Sequence, residues 1–199
     1  MSHHYFQDRD GSTPLDSEQA RGLKFKHVTT MAELDELEDR NIQKGLDWLY
    51  AYKGSDFLSV DFMNKLHTKL FGDVWKWAGK YRLVNVNLSK LHPAEVSGAL
   101  KVMFLDFKTW SESSNVNWEE WSAEFHHRLV SIHPYPNGNG RTTRIYTEYI
   151  QKRFGQKMTS WKASLKEDPR KRREEYIKAL RLADQGDYLS LMSFMQEKI

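Results

Sequence analysis

The sequence predicts an all-α fold, a helical bundle with one small β-hairpin, on three observations. Apolar residues recur at three- to five-residue steps through most of the chain. Capping residues stand at the ends of those periodic runs. A single stretch, Tyr81 to Leu91, alternates instead. Residues 1–28 read as an N-terminal arm, polar through residue 22 and carrying the turn residues Gly11 and Pro14. Residues 29–54 read as a helix preceding the core: Thr29 or Thr30 caps it, Leu34, Leu37, Ile42, Leu46 and Leu49 form its apolar stripe, and Gly54 and Ser55 end it. Residues 55–199 form the main domain. Its first helix spans about Asp61 to Phe71, with Phe62, Leu66 and Leu70 on one face. Leu83, Val84, Val86 and Leu88 then alternate with Asn85 and Asn87 until Pro93, which predicts a short hairpin. A helix follows over Ala94–Trp110, and Asn117 caps another through Trp118–Ile132, broken at His133-Pro134. Further helices are expected over Arg141–Phe154, stopped by Gly155, then Thr159–Leu165, Pro169–Ala183 and Tyr188–Glu197.

Size and composition agree with one domain plus an extension. A chain of 199 residues buries roughly 70% of its unfolded surface, enough for a core without covalent staples. With 30 Lys and Arg against 27 Asp and Glu, the net charge of +3 leaves no nucleic-acid footprint, so no direct nucleic-acid partner is expected. There is no Cys, which excludes disulfides, thiolate nucleophiles and Cys-ligated metals. No run approaches the roughly 18 apolar residues of a membrane span, and the polar first residues show no secretory signal. A cytoplasmic protein with no membrane partner is the expectation.

The chemistry concentrates in His133-Pro-Tyr-Pro-Asn-Gly-Asn-Gly-Arg-Thr-Thr-Arg144. Gly138 and Gly140 allow a tight turn with bare N–H groups immediately before a helix N-terminus, and both features attract anions. Arg141 and Arg144 lie three apart, on one face of that helix. Two guanidinium forks beside an anion nest suit a polyphosphate, and Asn139 offers its amide to a phosphate oxygen. His133 ends the preceding helix, and its ordinary pKa near 6.5 suits a general base toward a hydroxyl. A lone Gly-x-Gly would be an ordinary loop; the convergence of these residues within one turn points to transfer of a phosphorus-bound group to an alcohol.

This segment resembles the signature of the Fic/Doc family, His-Pro-Phe-x-Asp/Glu-Gly-Asn-Gly-Arg-x-x-Arg. A second block is similar to the family's helix and flap entry: Leu66-His67, Leu70-Phe71, Asp73 through Gly79, and Tyr81-Arg82. Together the likeness covers residues 55–197. His126 to Val130, Pro136-Asn137 and Thr13 to Asp16 point within it to the subfamily called mobile mystery protein B. The resemblance implies a protein adenylyltransferase that moves AMP from ATP to a Tyr, Thr or Ser hydroxyl of a target protein. By match, His133 is the base, Gly138, Asn139 and Gly140 hold the α- and β-phosphates, Arg141 takes the β- or γ-phosphate, and Arg144 the γ-phosphate. The Leu83–Leu91 hairpin is the flap along which the target lies by strand addition. A helix-turn-helix companion protein is implied as a further partner.

The segment departs from the family pattern twice. Tyr135 stands in place of Phe, so its hydroxyl needs a partner if buried. Asn137 stands where the family's acid helps to hold Mg²⁺ (or Mn²⁺), and one neutral oxygen is a weak ligand for such a cation. Three readings stay open: a slower adenylyltransferase; a Fic variant with another donor, kinase-like or transferring phosphocholine; or a weakly catalytic nucleotide-binding module of toxin–antitoxin type. The resemblance also implies an inhibitory helix, Ser/Thr-x-x-x-Glu-Gly/Asn, whose Glu pairs with the second Arg of the signature. The segments ending near Glu33, Glu38 and Glu197 each match in part, and Glu38 is the regulatory candidate because its helix precedes the core. His67, His126 and His127 read as packed or hydrogen-bonded side chains, not metal ligands. Trp75, Trp77, Trp118 and Trp121 read as core, and Arg170 to Arg173 as a solvated helix face.

Overall fold

The computed structural model describes residues 22–86, 89–161 and 168–196. Seven α-helices lie within them: α1 (Met31–Ala51), α2 (Val60–Phe71), α3 (Val96–Ser111), α4 (Trp118–Ile132), α5 (Asn139–Arg153), α6 (Pro169–Ala183) and α7 (Leu189–Gln196). Local chemistry sets several ends. Thr30 caps α1 through a reciprocal box with Glu33, Ser59 caps α2, and Asn117 caps α4 by accepting the Glu120 N–H. A 3₁₀ turn, Pro93–Glu95, precedes α3, so the helix expected from Ala94 starts its α-geometry two residues later. The arm expected over 1–28 lies mostly outside the described residues.

One large core joins α1 to α5. Phe62 of α2 is its hub, ringed by Trp48, Tyr52, Tyr146 and Tyr149. Phe107, Trp121 and Phe125 pack edge-on between α3 and α4. A smaller cluster built around Trp161, Ala179, Leu191 and Phe194 seats α6 and α7 against α4. Burying these faces is the main stabilising term, about 25 cal/mol per Å² of apolar surface.

α5 runs through the middle and is buried on nearly all sides, polar residues included. Thr147 Oγ1 donates to the Thr143 carbonyl at 2.8 Å, Tyr146 Oη to the Phe57 carbonyl at 2.6 Å, and Gln151 Oε1 accepts from both Thr159 N and Oγ1 at 2.9 Å. These bonds remove the cost of burying polar groups. They also correct the helix expected from Thr159. Thr159 and Ser160 spend their N–H groups on Gln151 and on the Met195 carbonyl, and Trp161 has φ of 52°; residues 162–165 lie outside the described residues.

The expected hairpin is also corrected. Among the described residues there is no strand, and the β contact found is an isolated antiparallel bridge between Leu23 and Trp75. From Tyr81 to Leu91 the described backbone is an irregular loop, with Asn87 and Leu88 outside the described residues. Two arms this short make a marginal hairpin in water, and the arms here bond to a side chain, Arg82, at Val84 and Leu91. Among the described residues no helix is long and apolar enough to cross a membrane.

Candidate active site

The loop between α4 and α5 holds the site, and its shape comes from named bonds. His133 is the C-cap of α4, in the left-handed conformation with φ 49° and ψ 62°. Tyr135, buried, donates from its hydroxyl to Asn64 Oδ1 at 2.7 Å, which supplies the partner that the Phe-to-Tyr departure requires. Asn139 clamps the turn: its Oδ1 accepts the Tyr135 N–H at 2.9 Å and its Nδ2 donates to the Tyr135 carbonyl at 2.8 Å. His67 supports the loop from below. Its Nδ1 accepts the Gly79 N–H at 2.8 Å, so its Nε2–H donates to the Asn137 carbonyl at 3.1 Å. Burial holds its pKa down at about 3, and the neutral ring stacks on Tyr135 at 3.6 Å between centroids.

The two glycines differ. Gly138 has φ of 76°, and a Cβ there would lie 2.7 Å from the Phe71 ring; the fold itself demands glycine. Gly140 is helical, and a Cβ there would meet only Arg144 Nη2, at 3.5 Å. The fold makes no such demand at Gly140, so its bareness leaves open the space above the first turn of α5. Gly138 has no side chain to cap that turn, and the first N–H groups of a helix are the ones an anion can bind.

The arginines are treated differently too. Arg141 pairs with the Glu38 carboxylate of α1 and stacks over Phe71 at 4.7 Å. Glu38 is only 3% exposed and accepts a second bond from Trp75 Nε1 at 2.6 Å. The regulatory candidate therefore does reach the signature, but its partner is Arg141, where the sequence expectation was the second arginine. The reason is register: α1 crosses beside α2, which brings Glu38 to Trp75 and Phe71 at the start of α5. Arg144 lies against the ring of Tyr176 from α6, 5.4 Å from its centroid, and its buried Nε has no hydrogen-bond partner. Tyr176 in turn bonds His126 Nε2 at 2.7 Å, and burial pushes its hydroxyl pKa up to about 12. His127 bonds Asp184 at 2.8 Å. Both histidines tie α4 to the C-terminal helices, in line with the structural reading of the sequence.

His133 keeps a depressed pKa, first because it is buried and then because of the Arg82 charge, with the Val130 carbonyl opposing. A neutral imidazole at pH 7 is the form a base needs. Arg82, which the sequence analysis quoted without a role, donates from Nε to the His133 carbonyl at 2.9 Å. Its signal in the sequence was a charge directly ahead of the Leu83-Val84 pair.

A protein-bound divalent cation does not fit these donors. Asn137 Oδ1, neutral, already accepts the Gly138 N–H at 2.6 Å, and Glu38 is committed to Arg141 and Trp75. Among the described residues no group of three His, Asp or Glu could hold a metal. Asn137 offers a single neutral oxygen that is already engaged, and no step below runs through a metal held by the protein.

Residues 57–151 match the family model for the Fic/DOC family. Protein adenylyltransferase VbhT of Bartonella schoenbuchensis is 30% identical over 102 residues, 48% of this chain and 21% of that one. Protein adenylyltransferase Fic of Drosophila mojavensis is 26% identical over 170 residues, 81% of this chain and 32% of that one. The chain thus spans about a fifth to a third of the length of these curated relatives. Among solved structures, BepC of Bartonella tribocorum with bound AMPPNP aligns with a TM-score of 0.69 at 16% identity, covering 97% of this chain and 96% of that one. Fic-1 of C. elegans aligns at 0.64 with 24% identity, covering 81% and 47%. At these identities the structures show a shared fold.

Proposed function

We propose that this chain, which matches the Fic/DOC family model over residues 57–151, is a protein adenylyltransferase. It moves AMP from ATP to a hydroxyl side chain of a target protein. The observation that carries the reading is the open first turn of α5. Gly140 is bare without a structural need for it, and Arg144 stands beside it with an orphaned buried Nε. The relatives' names, both protein adenylyltransferases, and the AMPPNP bound to BepC support a nucleotide there.

In this reading the N–H groups of Gly140 and its neighbours seat the α- and β-phosphates of ATP, while Asn139 holds the loop in shape. His133 takes the proton of the target hydroxyl as its oxygen bonds to the α-phosphorus. The bond from that phosphorus to the bridging oxygen breaks, and pyrophosphate leaves against Arg141 and Arg144. Preformed charge of this kind is the largest lever on phosphorus chemistry. The target lies along the loop at 83–91, where Leu83 and Val84 are exposed. Glu38 restrains the reaction by occupying Arg141, which the incoming phosphates must otherwise share.

Incubation with ATP labelled at the α- or the γ-phosphate tests this. Protein label from the α-position alone, lost in His133→Ala and raised in Glu38→Gly, is the expected result. Label from the γ-position alone would replace AMP transfer with kinase-like transfer. ATP binding without label in any variant would leave a nucleotide-binding module.

A further inference from the structure

Arg82 is 1% exposed, yet no carboxylate meets it among the described residues. Its guanidinium donates to three main-chain carbonyls: His133 at 2.9 Å from Nε, Val84 at 2.9 Å from Nη1 and Leu91 at 2.7 Å from Nη2. Its own N–H donates to the Pro134 carbonyl at 2.8 Å. A buried charge held only by neutral oxygens is costly, and a planar fork is the side chain able to reach three carbonyls in different directions at once. The acceptors belong to two separate segments. One is the turn that presents His133; the others are the two arms of the 83–91 loop. Ser89 Oγ adds a second tie between them, donating to the Ile132 carbonyl at 3.2 Å.

The turn needs such a hold. His133 is one of two non-glycine residues with positive φ among those described, a conformation that costs on the order of 1–3 kcal/mol unless its surroundings impose it. Fixing the His133 carbonyl restrains ψ at that residue, and so steadies the backbone frame from which the imidazole projects. The same guanidinium draws the ends of the 83–91 loop together while leaving Leu83 91% exposed.

We propose that Arg82 is a positioning residue that locks the base-bearing turn and the target-facing loop into one unit, so that His133 is correctly aimed only when the loop is seated. The proposal rests on the reading of His133 as base and of 83–91 as target loop, and extends it to regulation: a target that seats the loop also sets the base. The Gly138–Gly140 end of the turn is held separately, by His67 and Asn139.

Arg82→Lys and Arg82→Gln in the full chain test it by three readouts: hydrogen exchange over 83–91, the titration of His133 followed by NMR with His133→Ala as the assignment control, and labelling from α-labelled ATP. Lysine keeps the charge but cannot bridge three carbonyls. In Arg82→Lys the expected result is faster exchange at 83–91, His133 titrating closer to an ordinary histidine, and kcat down by about 10- to 100-fold with KM for ATP within about threefold. The last expectation follows because the phosphates are held elsewhere. If Arg82→Gln fails to fold, the lysine variant alone decides. Wild-type exchange and wild-type His133 titration in Arg82→Lys would overturn the proposal. So would a loss of kcat with equal loss of ATP affinity, which would mean general damage to the site. If wild-type protein transfers no label, the adenylyltransferase reading fails, while exchange and titration still decide the role of Arg82.

Discussion

Two loops meet at Arg82, and they are held in opposite ways. The turn from His133 to Gly140 is pinned from within and below: Asn139 closes it on Tyr135, Asn137 caps Gly138, and His67 and Phe71 press against it. Among its described residues the loop from Tyr81 to Leu91 has no ladder of backbone bonds; its internal ones are a turn from Ser89 N–H to the Val86 carbonyl at 3.2 Å and a bond from Leu91 N–H to Ser89 Oγ at 3.3 Å. It is tied at the root by Arg82 and Ser89, and Leu83 and Val84 stand out in solvent at 91% and 63% exposure. Phosphate chemistry tolerates little misplacement, so rigidity belongs in the first loop. A segment that binds an extended partner by strand addition keeps its backbone available, so sparse bonding in the second loop suits the target-binding role proposed for it.

If that contrast is right, Gly138→Ala should do the most damage. The left-handed backbone costs about 1–2 kcal/mol and the collision with Phe71 about 1–3 kcal/mol more, lowering the melting temperature by roughly 5–15 °C. A change under 2 °C would mean the turn is looser than its bonds indicate.

Acid should come next. In the fold, burial holds the pKa of His67 at about 3 and lowers those of His126 and His133, whereas in the unfolded chain all three titrate near 6.5. The unfolded state therefore binds more protons below pH 6.5, and stability present above that pH is lost as pH falls from 6.5 toward 3. Between pH 7 and 5 His67 alone accounts for about 2 kcal/mol, and urea midpoints at the two pH values measure the sum. His67→Gln should flatten that dependence.

Gly140→Ala should separate shape from function. The helix should hold or gain up to about 1 kcal/mol, while ATP affinity falls because the methyl group intrudes on the seat; calorimetry reads both. Unchanged affinity would move the nucleotide away from this turn.

Leu83→Ser should barely move stability, within about 0.5 kcal/mol, and should lower modification of a target while leaving ATP binding intact. A melting shift of several degrees would show that the second loop is packed after all.

Much of this was legible because it is local. Caps act within a turn, so Thr30 and Asn117 announced their helices. The signature from His133 to Arg144 packs its glycines, asparagines and arginines into one turn and one helix face, so the proposed anion seat could be read in order along the chain. The alternation at 83–88 misled because period two describes a strand only when a neighbour supplies the ladder. Here Leu83 and Val84 are exposed, and the buried residue beside them is Arg82. α5 was also hard to read as central, since the threonines and Gln151 that it buries look like a surface until their partners are known.

The sequence alone therefore settled the helical class and most helix ends and named candidate residues for a phosphate, because backbone propensity, capping and side-chain spacing on a helix are short-range effects. Only the tertiary structure decided who stands beside them. Glu38 and Arg141 are 103 residues apart in the chain, Tyr176 reaches Arg144 from a helix beyond the family's core, and Arg82 joins Val84, Leu91 and His133 across a separation of up to 51 residues. Such pairings depend on how helices cross and which side chains are driven out of water together, and no spacing along the chain encodes that.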